Sequence, residues 1–194
     1  MKKFELTTEF ITNFLGTKLF RIKALVEFGK VEKGELGGFV EKEENLDHDG
    51  DAWVYGDARV YGDARVSGNA EVSGDARVSG DARVYGDARV SGDARVSGDA
   101  RVYGDAEVSG NAEVSGDQMY ATVKGFGSEY RNTTFFITKD GNVCVNCGCF
   151  SGTLEQFREK VEETHKDTKY AKEYLTIADL MEMHFKEELE KIKK

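Results

Sequence analysis

A valine recurs at every sixth position from Val54 to Val114. The repeated unit is Gly-Asp-Ala-Arg-Val-Ser, in which Asn replaces Asp twice, Glu replaces Arg three times and Tyr replaces Ser four times. Ala and Val point to one side of an extended segment, Arg and Ser or Tyr point to the other, and Gly-Asp forms a corner. A period this strict excludes a helix. It predicts a solenoid whose coils pair with the coils above and below.

The repeat resembles the hexapeptide-repeat left-handed parallel β-helix, which has three hexads in each triangular coil. The stretches LGGFVE at residues 36–41 and GDAWVYG at residues 50–56 extend the match. In these segments the chain is similar to uncharacterised, acetyltransferase-like hexapeptide proteins of enterobacteria and their phages. Residues 147–155, CGCFSGTLE, resemble a module found at the ends of many small phage proteins. The resemblance implies a phage or prophage origin and brings no established activity with it.

With three hexads in a coil, residues 18 apart stack on one another. The repeat then supplies about four coils, and at about 4.8 Å per coil the solenoid is about 20 Å tall. The outward residues form three columns. The first face stacks Arg59, Arg77, Arg95 and Glu113, the second stacks Arg65, Arg83 and Arg101 beside Tyr85 and Tyr103, and the third stacks Trp53, Glu71, Arg89 and Glu107.

The second column is the candidate binding surface, and we call its five residues (Arg65, Arg83, Arg101, Tyr85 and Tyr103) the Arg/Tyr face. Arg and Tyr are enriched where proteins bind partners or planar and anionic groups. The alternative is a solvated surface on which the corner aspartates neutralise the arginines. The third face, with alternating Glu and Arg, is expected to satisfy its own charges. The two columns of stacked arginines need compensation, and the corner aspartates, for example Asp63, Asp81, Asp99 and Asp117, are expected to lie close enough to supply it.

The flanking segments predict two further domains. Residues 1–47 are expected to form a strand-rich cap, the repeat is expected to cover 48–118, and residues 119–194 are expected to form a small α+β module. Trp53 is expected to seal the cap against the first coil. In the last module the predicted strands are 121–124, 134–138 and 143–145, with a turn at Asp140-Gly141. A helix is predicted from a capping box of Thr153 and Gln156 to about His165, and a second over about 169–190.

Charge and composition limit the classes of function. The net charge is −9, of which −6 falls within residues 50–117, and this argues against a general binder of nucleic acid or anionic membranes. No apolar run approaches the roughly 18 residues of a membrane span, and the start of the chain leads into no signal-type segment. Three cysteines, clustered at 144–149, do not form a disulfide framework. We therefore expect no membrane association and a cytoplasmic location, which is the host cytoplasm for a phage-encoded protein.

The cysteine cluster has the residue types of a zinc site but not one of the strong spacings. Cys144, Cys147 and Cys149 are accompanied only by His165 and His184, both on predicted helices. Partly buried thiols beside a strand-to-helix turn are the simpler interpretation, with metal binding as the alternative. No cofactor is expected.

Many left-handed β-helix proteins are acyl-CoA-dependent acyltransferases, which commonly use a histidine as general base. Here the repeat contains neither an insertion nor a histidine. His48 precedes it, between Asp47 and Asp49, and is the one candidate base. No Ser-His-Asp order, P-loop or dinucleotide motif is present.

The sequence therefore favours a non-enzymatic, phage-type binding or scaffold protein. We expect it to inhibit or sequester a host defence component through the Arg/Tyr face or the end module. A homotrimer is expected by analogy with the family. The alternatives are an acyltransferase, a sponge that holds a small anionic nucleotide between Arg/Tyr faces, and an acidic mimic of DNA.

Overall fold

A computed structural model describes residues 2–192 of the chain. The chain divides into two compact units, Met1–Asn111 and Ala112–Lys194. The first unit contains three long strands and most of the repeat, and the second contains a small sheet and two helices. The chain is thus mainly β, as predicted, while the finer division at residues 47 and 118 stays a prediction. Neither helix in the described range combines the length and apolar character needed to cross a membrane.

The N-terminal cap consists of β1 (Phe4–Thr12), β2 (Lys18–Ala24) and β3 (Leu36–Val40). These strands pair antiparallel in the order β1-β2-β3. β3 then pairs in parallel with the repeat, with Phe39 opposite Arg59. The cap therefore continues one sheet of the solenoid and covers a backbone edge that a solenoid end would otherwise expose. The predicted strand-rich cap is confirmed.

Each hexad contributes one strand of two residues, in which the second residue is the recurring valine and is buried. The strands β4 to β13 lie in the first unit and β14 lies in the second. They are β4 (Trp53–Val54), β5 (Arg59–Val60), β6 (Arg65–Val66), β7 (Glu71–Val72), β8 (Arg77–Val78), β9 (Arg83–Val84), β10 (Arg89–Val90), β11 (Arg95–Val96), β12 (Arg101–Val102), β13 (Glu107–Val108) and β14 (Glu113–Val114).

From β4 to β13 every third strand belongs to the same parallel sheet, so that residues 18 apart are neighbours. β3 joins β5 with a separation of 20 residues. Within the first unit the sheets run β3-β5-β8-β11, β4-β7-β10-β13 and β6-β9-β12. Backbone hydrogen bonds join successive coils, for example from the amide of Arg83 to the carbonyl of Ala100 over 2.9 Å. The predicted three-hexad coil, and a β-solenoid of about four turns, are confirmed. Its left-handed winding stays a prediction.

The solenoid interior contains the alanines and valines of the repeat, which are essentially fully buried. Burying one valine side chain contributes about 1.5–3 kcal/mol. The corners need glycine: Gly86 has φ +75°, and a Cβ there would lie 3.0 Å from the amide nitrogen of Gly104 in the next coil. The hexad is therefore restricted both inside the coil and at its corner, which explains its strict repetition.

Trp53 is fully buried beneath the cap. The rings of Phe4 and Phe28 meet it edge-on, with centroids 6.2 Å and 5.4 Å away. Gly37 on β3 lies so close that an added Cβ would be 2.7 Å from the Trp53 ring. The predicted seal is thus confirmed. The prediction that Trp53 belongs to an outward column is wrong. The cap covers its side chain, which is therefore part of the hydrophobic core.

The second unit contains a four-stranded antiparallel sheet in chain order: β15 (Tyr120–Val123), β16 (Thr133–Ile137), β17 (Val143–Cys147) and β18 (Phe150–Thr153). The first three correspond to the strands predicted from sequence. β18 was not anticipated, since its residues FSGT lack a clear alternation of apolar and polar side chains.

Two helices complete the second unit, α1 (Leu154–His165) and α2 (Lys169–Ile192). The predicted capping box is confirmed: the amide of Gln156 donates to the Thr153 hydroxyl, and the Gln156 side chain accepts from the Thr153 amide. The apolar stripe of α2 is buried, with Phe185 fully enclosed. Both helices therefore serve the core of this unit.

Candidate binding groove on the Arg/Tyr face

The structure brings the five residues of the Arg/Tyr face together on one side of the solenoid. Arg65, Arg83 and Arg101 occupy equivalent positions on β6, β9 and β12 and pair in register. The rings of Tyr85 and Tyr103 stack with centroids 5.4 Å apart and an interplanar angle of 14°. The stack follows from the repeat, because parallel pairing places side chains of equivalent residues one strand spacing apart. Both rings remain partly exposed, so their outer surfaces are open to a ligand.

Arg65 and Arg83 of this face form no ion pair within the described chain. Among residues 2–192, no carboxylate oxygen lies within 4.0 Å of the guanidinium of Arg65 or Arg83. Asp63, the corner residue expected to compensate Arg65, accepts a hydrogen bond from Lys42 Nζ at 2.7 Å instead. That bond is the main cause of the lowered pKa of Asp63, to which Arg65 adds a smaller Coulombic effect. Asp63 is therefore paired with Lys42 of the cap and forms no ion pair with Arg65 in the described chain.

The Arg/Tyr face borders a groove of about 760 Å³ within the first unit. The sequence does not indicate this groove, because its other wall comes from the irregular segment after β3. Leu46 forms a bridge with Val66, a separation of 20 residues and not the 18 of the regular coils. The groove is lined by Arg65, Arg83, Arg101, Tyr85, Val66 and Ser67 on the repeat side and by Glu43, Glu44, Leu46, Asp47 and His48 on the other.

Asn45 fixes the second wall of the groove. Its side chain is fully buried, and its Nδ2 donates to the carbonyls of Gly62 (3.1 Å) and Ala64 (2.8 Å). Its Oδ1 accepts from the amide of Lys42. A buried amide with these partners holds the short 3₁₀ turn at residues 43–45 against the first coil. The acidic side chains of the wall are thus presented by an anchored backbone.

His48 lies in the groove with a defined orientation. Its Nδ1 accepts a hydrogen bond from the backbone amide of Lys3 over 3.2 Å, and its ring lies 4.4 Å from that of Phe4. Because Nδ1 is an acceptor, the neutral ring carries its hydrogen on Nε2. Nε2 lies 3.9 Å from a carboxylate oxygen of Glu43. His48 therefore offers the groove a hydrogen-bond donor and not a proton acceptor.

The third face satisfies its own charges, as predicted. Arg89 lies 3.7 Å from a carboxylate oxygen of Glu71 and 3.2 Å from one of Glu107. Lys30 from the cap adds a second cation beside Glu71, at 3.2 Å. A ladder with alternating charges leaves little for a partner to neutralise. Among the faces, the Arg/Tyr face differs in combining guanidinium groups that lack a contact carboxylate with stacked rings.

The cysteines lie in the second unit around β17 and do not converge with the histidines. Sγ of Cys147 accepts a hydrogen bond from the Thr133 hydroxyl over 3.2 Å and lies 3.9 Å from the hydroxyl of Tyr174. Burial raises the pKa of Cys144, which disfavours the thiolate that a metal requires. The rings of His165 and His184 pack against aromatic neighbours. Within residues 2–192, no three His, Cys, Asp or Glu side chains form a group able to hold a metal ion.

The stacked coils and the six-residue period define a β-solenoid repeat protein. A family model described as YdcK Beta solenoid repeat matches residues 52–68, 58–74, 64–80, 70–86, 76–92, 82–98 and 94–108. The chain therefore carries repeats of this kind through most of its solenoid, and the predicted resemblance to repeat β-helix proteins is confirmed. Its resemblance to phage and acetyltransferase-like proteins stays a prediction. No curated protein matches the chain.

Proposed function

We propose that the chain is a non-enzymatic binding protein whose Arg/Tyr face recognises a partner. One observation carries the proposal. At the edge of a groove, Arg65 and Arg83 lie beside the stacked Tyr85 and Tyr103, and within residues 2–192 neither arginine forms an ion pair with a carboxylate. A fold normally pairs stacked like charges or separates them. Guanidinium groups and tyrosine rings held on a rigid scaffold are the side chains that dominate the energy of many interfaces.

The partner we propose is a host protein, in a phage context, that presents acidic and aromatic groups to this face. Inhibition or sequestration of a host defence component in the host cytoplasm is the role that we propose for this surface. Nucleic acid is disfavoured as the partner, because residues 50–117 carry a net charge of −6 and Glu43 and Glu44 line the opposite wall of the groove. Seven arginines are interspersed among the acidic residues of 50–117, and this also disfavours a mimic of DNA.

Acyl transfer is the weaker proposal, although His48 does lie in the groove. A general base needs an unprotonated nitrogen directed at the substrate. In His48 that nitrogen is Nδ1, and it is occupied by the amide of Lys3. Freeing it would break a hydrogen bond between the cap and the groove wall.

Sequestration of a small anionic ligand is the second candidate function, and the groove favours it. A volume of about 760 Å³ lies within the range of about 300–1,000 Å³ that is usual for small-molecule sites. A homotrimer, which we also propose, would repeat such a groove three times in one particle.

Affinity capture from infected cells tests the main proposal. The tagged wild type is compared with the double variant Arg83→Ala/Tyr85→Ala and with the matched control Arg95→Ala/Ser97→Ala, which changes equivalent repeat positions on the first face. We expect a partner that the wild type and the control retain and the double variant loses. Equal capture by all three proteins would refute the role of the face.

A further inference from the structure

Tyr85 and Tyr103 belong to a column of equivalent residues that we call the tyrosine ladder, in which each coil provides one rung. The ladder has no aromatic ring in the coil nearer the cap. The residues that follow the valines of β6, β9 and β12 are Ser67, Tyr85 and Tyr103. Parallel register places Ser67 directly beside Tyr85 in the neighbouring coil, just as it places Tyr85 beside Tyr103. Tyr103 covers one face of the Tyr85 ring, at a centroid distance of 5.4 Å. The other face of Tyr85 is directed toward the rung of Ser67, whose side chain is too small to cover it.

The groove lies at this rung. It is lined by Tyr85 and Ser67 but not by Tyr103, as expected if the open face of the Tyr85 ring forms part of its wall. On the side of Ser67 that faces the cap, the next rung belongs to Asp47, whose amide donates to the carbonyl of Val66 over 2.9 Å. Two strand spacings, about 9–10 Å, therefore separate the rungs of Tyr85 and Asp47. A serine between them leaves room for a ring.

We propose that the groove binds a planar aromatic or heteroaromatic ring that bears an anionic group, and that this ring takes the missing place in the tyrosine ladder. The proposal names the ligand of the face described above and rests on the proposed binding function. Stacking on Tyr85 selects a flat ring of almost any chemistry.

The charges around the missing rung define the substituents of the ring. Arg65 lies on the rung of Ser67 and Arg83 on that of Tyr85, and neither guanidinium has a contact carboxylate in the described chain. A carboxylate or phosphate on the ligand supplies the absent anion in the forked geometry that arginine favours.

The opposite wall selects a hydrogen-bonding edge. Asp47 and Glu44 present acceptors, and Nε2 of His48 presents a donor. A ring with an amino group on the side away from its anion satisfies these carboxylates. An amino-substituted aromatic acid and a nucleoside monophosphate with an exocyclic amine share this chemistry.

Calorimetric titration of the purified full-length chain tests the ligand class. The two full probes are 4-aminobenzoate, with a carboxylate, and 5′-AMP, with a phosphate. Adenosine tests the ring without the anion, and ribose 5-phosphate the anion without the ring. We expect one of the full probes to bind at least about tenfold more tightly than either partial probe, and its identity tells carboxylate from phosphate. The inference is overturned if no full probe binds, or if ribose 5-phosphate binds as tightly as 5′-AMP.

The variant Ser67→Tyr tests the position of the ring, because it supplies the missing ring from the protein itself. Its melting temperature is expected to equal or exceed that of the wild type, while binding of the full probe weakens at least about tenfold. Ser91→Tyr, the same change on the third face, is the matched control and should bind like the wild type. Should Ser67→Tyr fail to fold, Tyr85→Phe and Tyr85→Ala replace it: the first keeps the stacking ring and should bind, and the second should not. Unchanged binding in Ser67→Tyr or Tyr85→Ala would refute the site.

Failure of this inference is distinguishable from failure of the proposed function. If the probes do not bind but capture of a partner still depends on Arg83 and Tyr85, the ligand class is wrong and the face remains a binding surface. If capture is also independent of these residues, both are wrong.

Discussion

The backbone amide of Lys3 donates a hydrogen bond to Nδ1 of His48 over 3.2 Å. This bond joins the start of the cap to the wall of the groove and fixes which ring nitrogen of His48 carries a hydrogen. Lys3 is itself held there: its buried ammonium donates to the carbonyls of Gly50 (3.2 Å) and Ala52 (3.0 Å). Burial lowers the pKa of Lys3, although three nearby aspartates act in the opposite direction. The histidine that most resembles a catalytic base is thus part of a structural junction.

The first prediction concerns catalysis. Because Nδ1 of His48 is occupied, we expect no release of free thiol when the protein is incubated with common acyl-CoA donors and candidate acceptors. His48→Ala should show the same absence of turnover as the wild type. Donor-dependent turnover that disappears in His48→Ala would instead establish the acyltransferase.

The second prediction concerns the cap. Trp53→Ala removes a fully buried ring that packs on Phe4 and Phe28, and it is expected to lower the free energy of unfolding by about 3–5 kcal/mol. Trp53→Phe retains a ring and should cost clearly less. Urea unfolding followed by circular dichroism measures both, since the variants lack the single tryptophan. Equal stability of the wild type and Trp53→Ala would show that the cap does not seal the solenoid.

The six-residue period predicts a solenoid, and the resemblance to hexapeptide-repeat β-helix proteins implies three hexads in each coil. The groove was not predictable, since its second wall departs from that period: Leu46 pairs with Val66 two residues out of the regular spacing. The buried amide of Asn45 holds this segment through hydrogen bonds to two carbonyls of the first coil. Such contacts depend on tertiary position and leave no local pattern. Trp53 shows the same limit, because its repeat position predicts an outward side chain and only the cap makes it core.

The third prediction concerns a corner column. Nδ2 of Asn69 donates to a carboxylate oxygen of Asp87 over 3.0 Å, and its Oδ1 accepts from the amide of Asp51. Asn69→Asp replaces this donor with a carboxylate between those of Asp51 and Asp87 and should lower the free energy of unfolding by about 1 kcal/mol at pH 7. Repulsion between neighbouring carboxylates raises the pKa of the added carboxyl in the folded state above its value in the unfolded state. The free energy of unfolding of the variant therefore falls as the pH rises through the folded-state pKa.

Chemical denaturation at two pH values tests this sign. The stability difference between Asn69→Asp and the wild type should shrink below about pH 4, where carboxylates become protonated. Asn69→Ala is the control, because it removes the hydrogen bond to Asp87 without adding a carboxylate, and its loss should shrink less at low pH than that of Asn69→Asp. A difference for Asn69→Asp that is the same at both pH values would contradict the electrostatic explanation.

The fourth prediction concerns Tyr174 in the second unit. Burial is the main cause that raises its pKa from 10.0 to about 12, and the neighbouring Cys147 adds to the effect. The folded state therefore keeps a proton that the unfolded state loses, so the free energy of unfolding should fall as the pH rises from about 10 to 12. Tyr174→Phe should flatten this decline, whereas Tyr130→Phe, at an exposed position, should not. An unchanged slope in Tyr174→Phe would refute the assignment.

The fifth prediction is the assembly state. Native mass spectrometry should give three times the 21.6 kDa chain mass. A monomer would refute the trimer. If Arg83→Ala/Tyr85→Ala lowers the mass while the melting temperature is preserved, the Arg/Tyr face is the seam between subunits and not the site for another partner.

Site-specific photo-cross-linking tests the central claim most directly. A benzophenone amino acid replaces Tyr85 on the Arg/Tyr face or, as a matched position, Tyr61 on the first face, and the protein is irradiated in infected cells. The proposed function predicts a discrete adduct with a host protein from position 85 and none from position 61. Adducts from position 61 alone, or equally from both positions, would contradict the assignment of the Arg/Tyr face as the binding surface.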